Sequence, residues 1–132
     1  MFEAEKDKYL MKHGFGATRL KAVLFDMDGV LFDSMPNHAY SWSHAMTQFG
    51  LHITPEEAYM HEGRTGGGTI DLLAQRDWGR RATEEEKQTI YKAKSDVFSR
   101  CPEAPRMPGA YELLKKVKAD GFIPMVVTGS GQ

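Results

Sequence analysis

Residues 21–34, KAVLFDMDGVLFDS, constrain the fold more than any other stretch of the sequence. Four apolar residues, AVLF, lead directly into Asp26, Met27, Asp28 and Gly29. An apolar run that ends in this way predicts a buried central strand of a parallel sheet. Ligands of open α/β sheets collect just beyond the carboxyl ends of the strands, so Asp26 and Asp28 lie where such a fold carries out chemistry.

Asp26 and Asp28 are two positions apart on an extended backbone, so their carboxylates face the same side, about 6–7 Å from each other. Two carboxylates this close repel each other unless a cation such as Mg²⁺, or a shared proton, offsets the repulsion. A bare DxD sequence also occurs in ordinary surface turns. The residues around it therefore decide between chemistry and a simple turn.

Those surrounding residues carry a family resemblance. The strand followed by DxDGVLxDS is similar to motif I of the haloacid dehalogenase superfamily, and the DGVLFDS continuation resembles its β-phosphoglucomutase-like branch. The resemblance covers about residues 21–132. It implies an α/β fold in which a Rossmann-like core with a parallel sheet carries an inserted α-helical cap.

The same resemblance implies roles for the two aspartates. Asp26 is expected to be the nucleophile that takes the phosphoryl group as an aspartyl-phosphate. Asp28 is expected to act first as the general acid and then as the base, a role worth ~10²–10⁴ in rate. Mg²⁺ is expected to be held by the Asp26 carboxylate and the Asp28 backbone carbonyl, because a carboxylate attacks a phosphate dianion poorly unless a metal screens the charge.

A second short apolar strand, residues 122–127, ends in Thr128, Gly129 and Ser130. Two hydroxyl groups and an unobstructed glycine N–H predict a phosphate-binding loop. By itself this sequence is also that of an ordinary turn. Its position after the strand resembles motif II of the family, which makes these three residues the expected phosphate-binding group.

The order of elements predicts three parts: an N-terminal extension (residues 1–20), a partial core (21–34 and 105–132) and a helical cap (35–104). In the extension, Phe2, Tyr9 and Leu10 together with nearby charged residues predict a short amphipathic helix that ends at Gly14 and Gly16. In the cap we expect helices that start at Pro36, at Pro55 with Thr54 as N-cap, at Thr69, and after a capping box at Thr83. Glycines 66–68 predict a flexible bend. A further helix, 109–119, is expected to face inward through Tyr111, Leu113, Leu114 and Val117.

Four cap residues match positions of the β-phosphoglucomutases by resemblance. Arg64 corresponds to the cap arginine that binds a distal phosphate, and Lys94 to a cap lysine. His38 and Trp42 correspond to a histidine and a tryptophan of the first cap helix. Capping or core packing explains His38 equally well, and Trp42 is expected to lie in the core. The alternative for Lys94 is a solvated lysine on a charged helix. Arg64, His38 and Lys94 are therefore expected to contact substrate.

Glu62 departs from the mutase pattern, which has a small apolar residue there. A carboxylate directed into the cleft repels a sugar phosphate unless it serves as an extra Mg²⁺ contact, and it also crowds the leaving group. Both effects favour a compact substrate such as pyrophosphate. The alternative is that Glu62 caps a helix or faces water.

Composition narrows the class of partner. The 132 residues carry a net charge of −1, so no strong field attracts nucleic acid or an anionic membrane. A single cysteine and eight methionines favour the cytoplasm. The histidines other than His38 show no zinc-ligand spacing. The expected partner is a small phosphorylated metabolite or pyrophosphate, and the oligomeric state is left open.

The resemblance also implies residues that this sequence lacks. Catalysis in the family needs a lysine (motif III) and one or two Mg²⁺-binding acids (motif IV), both expected beyond motif II. We therefore expect a fragment of a longer protein. Three functions follow: an Mg²⁺-dependent phosphatase or phosphomutase, an inorganic pyrophosphatase of the same branch, or an inert fragment.

Overall fold

The computed structural model describes residues 3–16 and 19–129. In chain order its elements are α1 (Glu3–His13), β1 (Ala22–Phe25), α2 (Met35–Thr47), α3 (Pro55–Met60), α4 (Gly66–Asp77), α5 (Glu84–Phe98), α6 (Ala110–Ala119) and β2 (Ile123–Val126). A strand, a block of helices and then a helix–strand pair is the α/β order that the sequence predicts.

Within the described part of the chain, β1 and β2 form a two-stranded parallel sheet that pairs Phe25 with Val126. A hydrogen bond of 2.8 Å from the N–H of Val127 to the carbonyl of Phe25 continues the pairing beyond the strands. Both carboxyl ends therefore meet at one edge of the sheet. The chain carries Asp26 and Thr128 to that edge.

The sheet is more exposed than the sequence predicts. In β1 only Phe25 is buried, Leu24 is 64% exposed, and every residue of β2 is exposed. The prediction of a buried central strand is therefore wrong for these residues. The apolar run does fix strand formation, but burial depends on what packs on the sheet, and of the described helices only α6 packs on β2.

The helix α6 contributes less to the interior than its sequence predicts. Val117 is fully buried beside Phe25, and Leu114 packs against them. Tyr111 and Leu113, which were expected to face inward, are 48% and 39% exposed. The core beneath the sheet is consequently small.

A larger hydrophobic core lies among helices α2 to α5, where α2 packs against α3 and α5, and α4 packs against α5. Its buried members are Ala39, Ala45, Met46, Leu51, Ile53, Ala58, Ile70, Leu73, Ala74, Ala82 and Ile90. Trp42 of α2 and Phe49, just after its end, are partly buried against this core.

Side-chain caps define where the helices begin. Thr54 accepts a hydrogen bond of 3.1 Å from the N–H of Glu57, and Thr83 forms the predicted capping box with Glu86. The predicted flexible bend at residues 66–68 is wrong. The three glycines form the first turn of α4, because Thr65 caps it through a bond of 3.2 Å from the N–H of Gly68, and the cap outweighs the weak helix propensity of glycine.

Two short linkers join the helical block to the sheet and contact each other. The N–H of Asp33 donates to the carbonyl of Pro105 at 2.8 Å, and the N–H of Met107 donates to Leu31 at 2.9 Å. The Asn37 amide donates to the carbonyl of Pro102 at 2.8 Å. These bonds hold the start of α2, and the residues it carries, close to the sheet edge.

The predicted N-terminal helix is present as α1, and none of its residues is buried. In the described ranges, every helix falls short of the length and apolar character that a membrane crossing requires.

The capping box of α5 yields a stability prediction. Thr83→Ala removes the acceptor for the N–H of Glu86, which lies 3.2 Å from Thr83 Oγ1. We expect the free energy of unfolding to fall by about 1 kcal/mol, measured by urea denaturation. Thr89→Ala, on the exposed face of the same helix, is the matched control and should change it by less than about 0.5 kcal/mol. An equal loss in both variants would contradict a specific role of the cap.

Candidate active site

A cleft of about 440 Å³ opens at the carboxyl end of β1, between the sheet edge and the helices α2, α4 and α5. Asp26, Asp28, Glu62, Arg64 and Gly129 line it. Residues from both strand ends therefore share one cavity with residues of the helical block. The sequence nominated all five, and they lie on three separate segments of the chain.

Asp26 is exposed at the floor of the cleft. Its Oδ1 accepts a hydrogen bond of 2.7 Å from the N–H of Met27, the next residue. This local bond restrains the carboxylate, which still borders the open cavity. Such a group is available to a metal ion or to an electrophile.

Asp28 is more enclosed than Asp26 and is held by two donors. Its Oδ1 accepts from the Ser34 hydroxyl at 2.5 Å and lies 3.2 Å from Nε2 of His38. Ser34 is 4% exposed and His38 is half-buried. Because both contacts converge on one oxygen, they fix the orientation of the carboxylate.

Lys94 contacts the ring nitrogen of His38 that does not face Asp28. Its ammonium lies 2.8 Å from Nδ1 of His38, and the residue is only 4% exposed. A lysine ammonium has donors only, so while it is protonated it donates to Nδ1 and the imidazole proton lies on Nε2, toward Asp28. Lys94 is absent from the described lining of the cleft. It therefore reaches Asp28 through His38.

Aromatic rings surround the Lys94 ammonium. The ring centroids of Phe98, Trp42 and Tyr91 lie 4.7, 5.6 and 5.9 Å from Nζ. Phe98 also stacks on His38 with a centroid separation of 4.4 Å. Cation–π attraction offsets part of the cost of burying the charge.

Burial dominates the protonation of both bases. It lowers the pKa of Lys94 from its ordinary value of 10.5 to about 8, although the nearby charges of Asp28 and Cys101 oppose the shift. Burial and the adjacent Lys94 charge also lower the pKa of His38, against the effect of Asp28. The neutral form of His38 is thus favoured near neutral pH.

Glu62 closes over the strand end from the opposite side. A Cβ built on Gly29 would lie 2.9 Å from Glu62 Oε1, so the carboxylate rests where only glycine leaves room. Glu62 and Arg64 belong to the loop between α3 and α4, and both side chains are exposed along the cleft. Glu62 is therefore exposed to water and lines the cleft at the same time.

The predicted phosphate-binding loop lies only partly inside the described residues. Gly129 lines the cleft, Thr128 is half-buried beside it, and Ser130 lies outside the described range. The backbone of Gly129 therefore stands near Asp26. The contribution of Ser130 stays a prediction.

The donors of the cleft are oxygen atoms, the ligand type of Mg²⁺. In residues 3–16 and 19–129, no group of three or more His, Cys, Asp or Glu side chains is arranged to hold a metal ion. Mg²⁺ commonly needs only one or two carboxylates together with substrate phosphates and water. The Asp26 carboxylate and the Asp28 carbonyl are oxygen donors of this type, and the Glu62 carboxylate lines the same cleft.

Three residues around the site carry no role in the sequence prediction: Ser34, Tyr91 and Phe98. Ser34 is the last residue of the motif that contains Asp28. Its nearness in sequence could therefore have indicated a contact with Asp28. Tyr91 and Phe98 lie three residues before and four residues after Lys94, which places all three on one face of α5. That spacing indicates an enclosed lysine, whereas the surrounding charges had suggested a solvated one.

Known proteins resemble this chain in sequence. The sequence profile of the haloacid dehalogenase-like hydrolases matches residues 20–132. A phosphoglycolate phosphatase of Mannheimia succiniciproducens is 31% identical over 120 residues, and one of Haemophilus influenzae is 30% identical over 119. Each alignment covers 84% of this chain and 52% of the relative, so the chain spans about half the length of the curated relatives it matches.

Solved structures resemble it in fold. One from Bacteroides vulgatus, whose name suggests a β-phosphoglucomutase, is 58% identical with a TM-score of 0.89, and the match covers 99% of this chain and 54% of that one. A β-phosphoglucomutase from Clostridium difficile is 21% identical with a TM-score of 0.69, covering 82% of this chain and 51% of that one. The second likeness concerns the fold alone.

The sequence profile spans all but the first 19 residues, and the curated relatives reach 31% identity. The resemblance recognised in motifs I and II is confirmed, and the chain belongs to the haloacid dehalogenase-like hydrolases.

Proposed function

We propose that the protein transfers phosphoryl groups of small phosphorylated metabolites through an aspartyl-phosphate on Asp26, with Mg²⁺ as cofactor. The observation that carries the proposal is the shared cleft: Asp26 and Asp28 line it together with Arg64 and Gly129. An open carboxylate stands beside a restrained one. Cationic and backbone N–H groups suited to phosphate oxygens lie around them.

The two aspartates divide the reaction. An oxygen of Asp26 forms a bond to phosphorus while the bond to the leaving oxygen breaks, and Asp28 donates a proton to that oxygen. Asp28 then takes a proton from the acceptor, whose attack on phosphorus releases Asp26. Mg²⁺, when bound, screens the charge between the carboxylate and the phosphate dianion.

Ser34, His38 and Lys94 serve as positioning residues in this scheme. The contacts at 2.5 and 3.2 Å keep Oδ1 of Asp28 fixed, and the bond of 2.8 Å from Lys94 fixes the tautomer of His38. Lys94 and His38 were expected to contact substrate. In this scheme they instead position the carboxyl group of Asp28. Arg64, exposed in the cleft, keeps the proposed contact with a distal phosphate.

Hydrolysis and mutase chemistry differ in whether water or a sugar hydroxyl accepts the phosphoryl group. Relatives named as phosphoglycolate phosphatases support the first, and the Bacteroides vulgatus structure supports the second. Both fit a small phosphorylated metabolite as substrate. From the single cysteine, Cys101, we infer a cytoplasmic location.

Inorganic pyrophosphatase activity is the second candidate, and the position of Glu62 favours it. Its carboxylate rests against Gly29 at the end of the strand that carries Asp26 and Asp28. A negative charge there admits a metal-bound, compact substrate and repels a bulkier organic phosphate. The third possibility is that residues 1–132 are inert by themselves; phosphate release by this chain alone, above background, would contradict it.

Asp26→Asn tests the nucleophile. We expect turnover to fall by about 10³-fold or more, because an amide does not form the acyl phosphate, and trapping of BeF₃⁻ in fluorine NMR to disappear. Asp33→Asn changes an exposed acid of the same segment and should preserve both signals. Turnover that survives in Asp26→Asn would exclude the aspartyl-phosphate.

Glu62→Ala tests the choice of substrate. If Glu62 contacts Mg²⁺, kcat/KM for pyrophosphate should fall by about 10–10³-fold, while activity on β-glucose 1-phosphate holds or rises. Glu56→Ala, an exposed glutamate of α3, is the control and should change neither. Arg64→Ala should weaken both substrates. An equal effect of Glu62→Ala on both would leave the sugar-phosphate function in first place.

Lys94→Met tests the buried ammonium through pH. Between pH 8 and 10.5 the unfolded chain still binds the proton that folded Lys94 has released. Because the unfolded state binds more protons in this window, the free energy of unfolding of the wild type should rise with pH relative to Lys94→Met. Urea denaturation across the window measures the difference. Lys92→Met, whose side chain is 75% exposed, should run parallel to the wild type, and the same parallel course in Lys94→Met would contradict the lowered pKa.

A further inference from the structure

Gly66 packs against the ring of Tyr91 more closely than any side chain would permit. A Cβ built on Gly66 would overlap Cε2 and Cδ2 of that ring and lie 3.4 Å from Cζ. Gly66 is not among the glycines with positive φ. Glycine is therefore required here because a side chain would not fit between α4 and α5.

Tyr91 belongs to the framework that holds Asp28. It lies one turn before Lys94 on α5, and its ring is 5.9 Å from the Lys94 ammonium and 6.3 Å from the ring of Trp42. Lys94 in turn bonds His38, and His38 contacts Asp28. A group that packs on Tyr91 is therefore held at a defined position relative to Asp28.

The loop of residues 61–65 is seated on Tyr91 through Gly66, where α4 begins. Arg64 is tied to the same turn, because a Cβ on Gly68 would lie 3.3 Å from Arg64 Cγ and 3.1 Å from Thr65 Oγ1. The Arg64 stem thus lies across the first turn of α4. The position of that turn decides how far Arg64 reaches into the cleft.

We propose that the contact between Gly66 and Tyr91 sets the distance between Arg64 and the two aspartates, and with it the length of phosphorylated substrate that the cleft accepts. This inference rests on the proposed phosphoryl transfer. A substrate whose reacting phosphoryl group lies at Asp26 and whose far end, a second phosphoryl group or a sugar, reaches Arg64 must span a gap that the contact keeps short. A side chain at position 66 lengthens the gap, which weakens a short substrate and leaves a longer one unaffected.

Gly66→Ala in the full-length protein is the test, with pyrophosphate as the short substrate and β-glucose 1-phosphate as the longer one. A displacement near 1 Å should lower kcat/KM for pyrophosphate by about 10–10²-fold, mainly through KM, while KM for β-glucose 1-phosphate holds or falls. Gly67→Ala is the matched control in the same helical turn. Its Cβ would meet only Lys87 Cδ, at an ordinary 3.7 Å, and both KM values should stay unchanged.

Tyr91 variants separate this contact from a general loss of helix structure. In a Tyr91→Ala background, Gly66→Ala should no longer raise KM, whereas in Tyr91→Phe, which keeps the ring, the rise should persist. Equal effects of Gly66→Ala and Gly67→Ala, equal effects on both substrates, or a rise that survives in Tyr91→Ala would overturn the proposal.

Binding measurements keep the proposal independent of turnover. The affinity for pyrophosphate with Mg²⁺ can be measured by titration calorimetry in an Asp26→Asn background. Gly67→Ala should bind pyrophosphate more tightly than Gly66→Ala. Equal affinities, or the reverse order, would overturn the inference. Thermal unfolding identifies any variant that does not fold. Turnover retained by Asp26→Asn would instead overturn the proposed function. The relative affinities of Gly66→Ala and Gly67→Ala for pyrophosphate would still test the role of the contact between Gly66 and Tyr91.

Discussion

The buried ammonium of Lys94 is the constraint on which the arrangement of the site depends. An unpaired charge in a protein interior costs several kcal/mol, so the surrounding residues must supply a hydrogen-bond partner and aromatic rings that attract the cation. His38, 2.8 Å away, is the partner, and Phe98 provides the nearest ring at 4.7 Å. Since His38 also contacts Asp28, stabilising the lysine within the helical block simultaneously positions a carboxylate at the sheet edge. The interior of the helical block and the sheet edge thus share one set of contacts.

Two glycines allow the opposite wall of the cleft to come equally close. Gly29 leaves room for the carboxylate of Glu62, and Gly66 leaves room for the ring of Tyr91. The reasons differ: Gly29 has a φ of 71°, so its conformation also favours glycine, whereas Gly66 is required for space alone. Glycine in a helix costs about 1 kcal/mol relative to alanine. In the first turn of α4 the close approach to Tyr91 accounts for Gly66, whereas a Cβ on Gly67 would make only an ordinary contact with Lys87.

Local chemistry made part of this structure predictable from sequence. Thr83 and Glu86 specify a helix start through their own hydrogen bonds, and the capping box occurs where it was expected. The strand before Asp26 follows from an equally local apolar run. Lys94 shows the limit: resemblance predicted a substrate contact and its charged helix offered a solvated position, yet Lys94 is buried, because His38 and Trp42, far away in sequence, help to enclose it. The same limit applies to residues 66–68, whose helical state depends on a cap that propensity does not include, and to β1, whose exposure depends on its neighbours. Sequence identified which residues meet in the cleft, whereas three-dimensional packing decided what each one contacts.

Apolar burial is distributed unevenly between the two hydrophobic clusters of the described residues. The helices α2 to α5 enclose fully buried side chains such as Met46, Leu51 and Ile70, whereas the cluster beneath the two strands has Phe25, Leu31 and Val117. Asp26 and Gly129 follow the strands, and Glu62, Arg64 and His38 belong to the helical block. The contacts of Asp28 with His38 and of Gly29 with Glu62 cross between them. These two contacts therefore fix where the segment that carries Asp26 and Asp28 lies relative to the residues of the helical block that share its cleft.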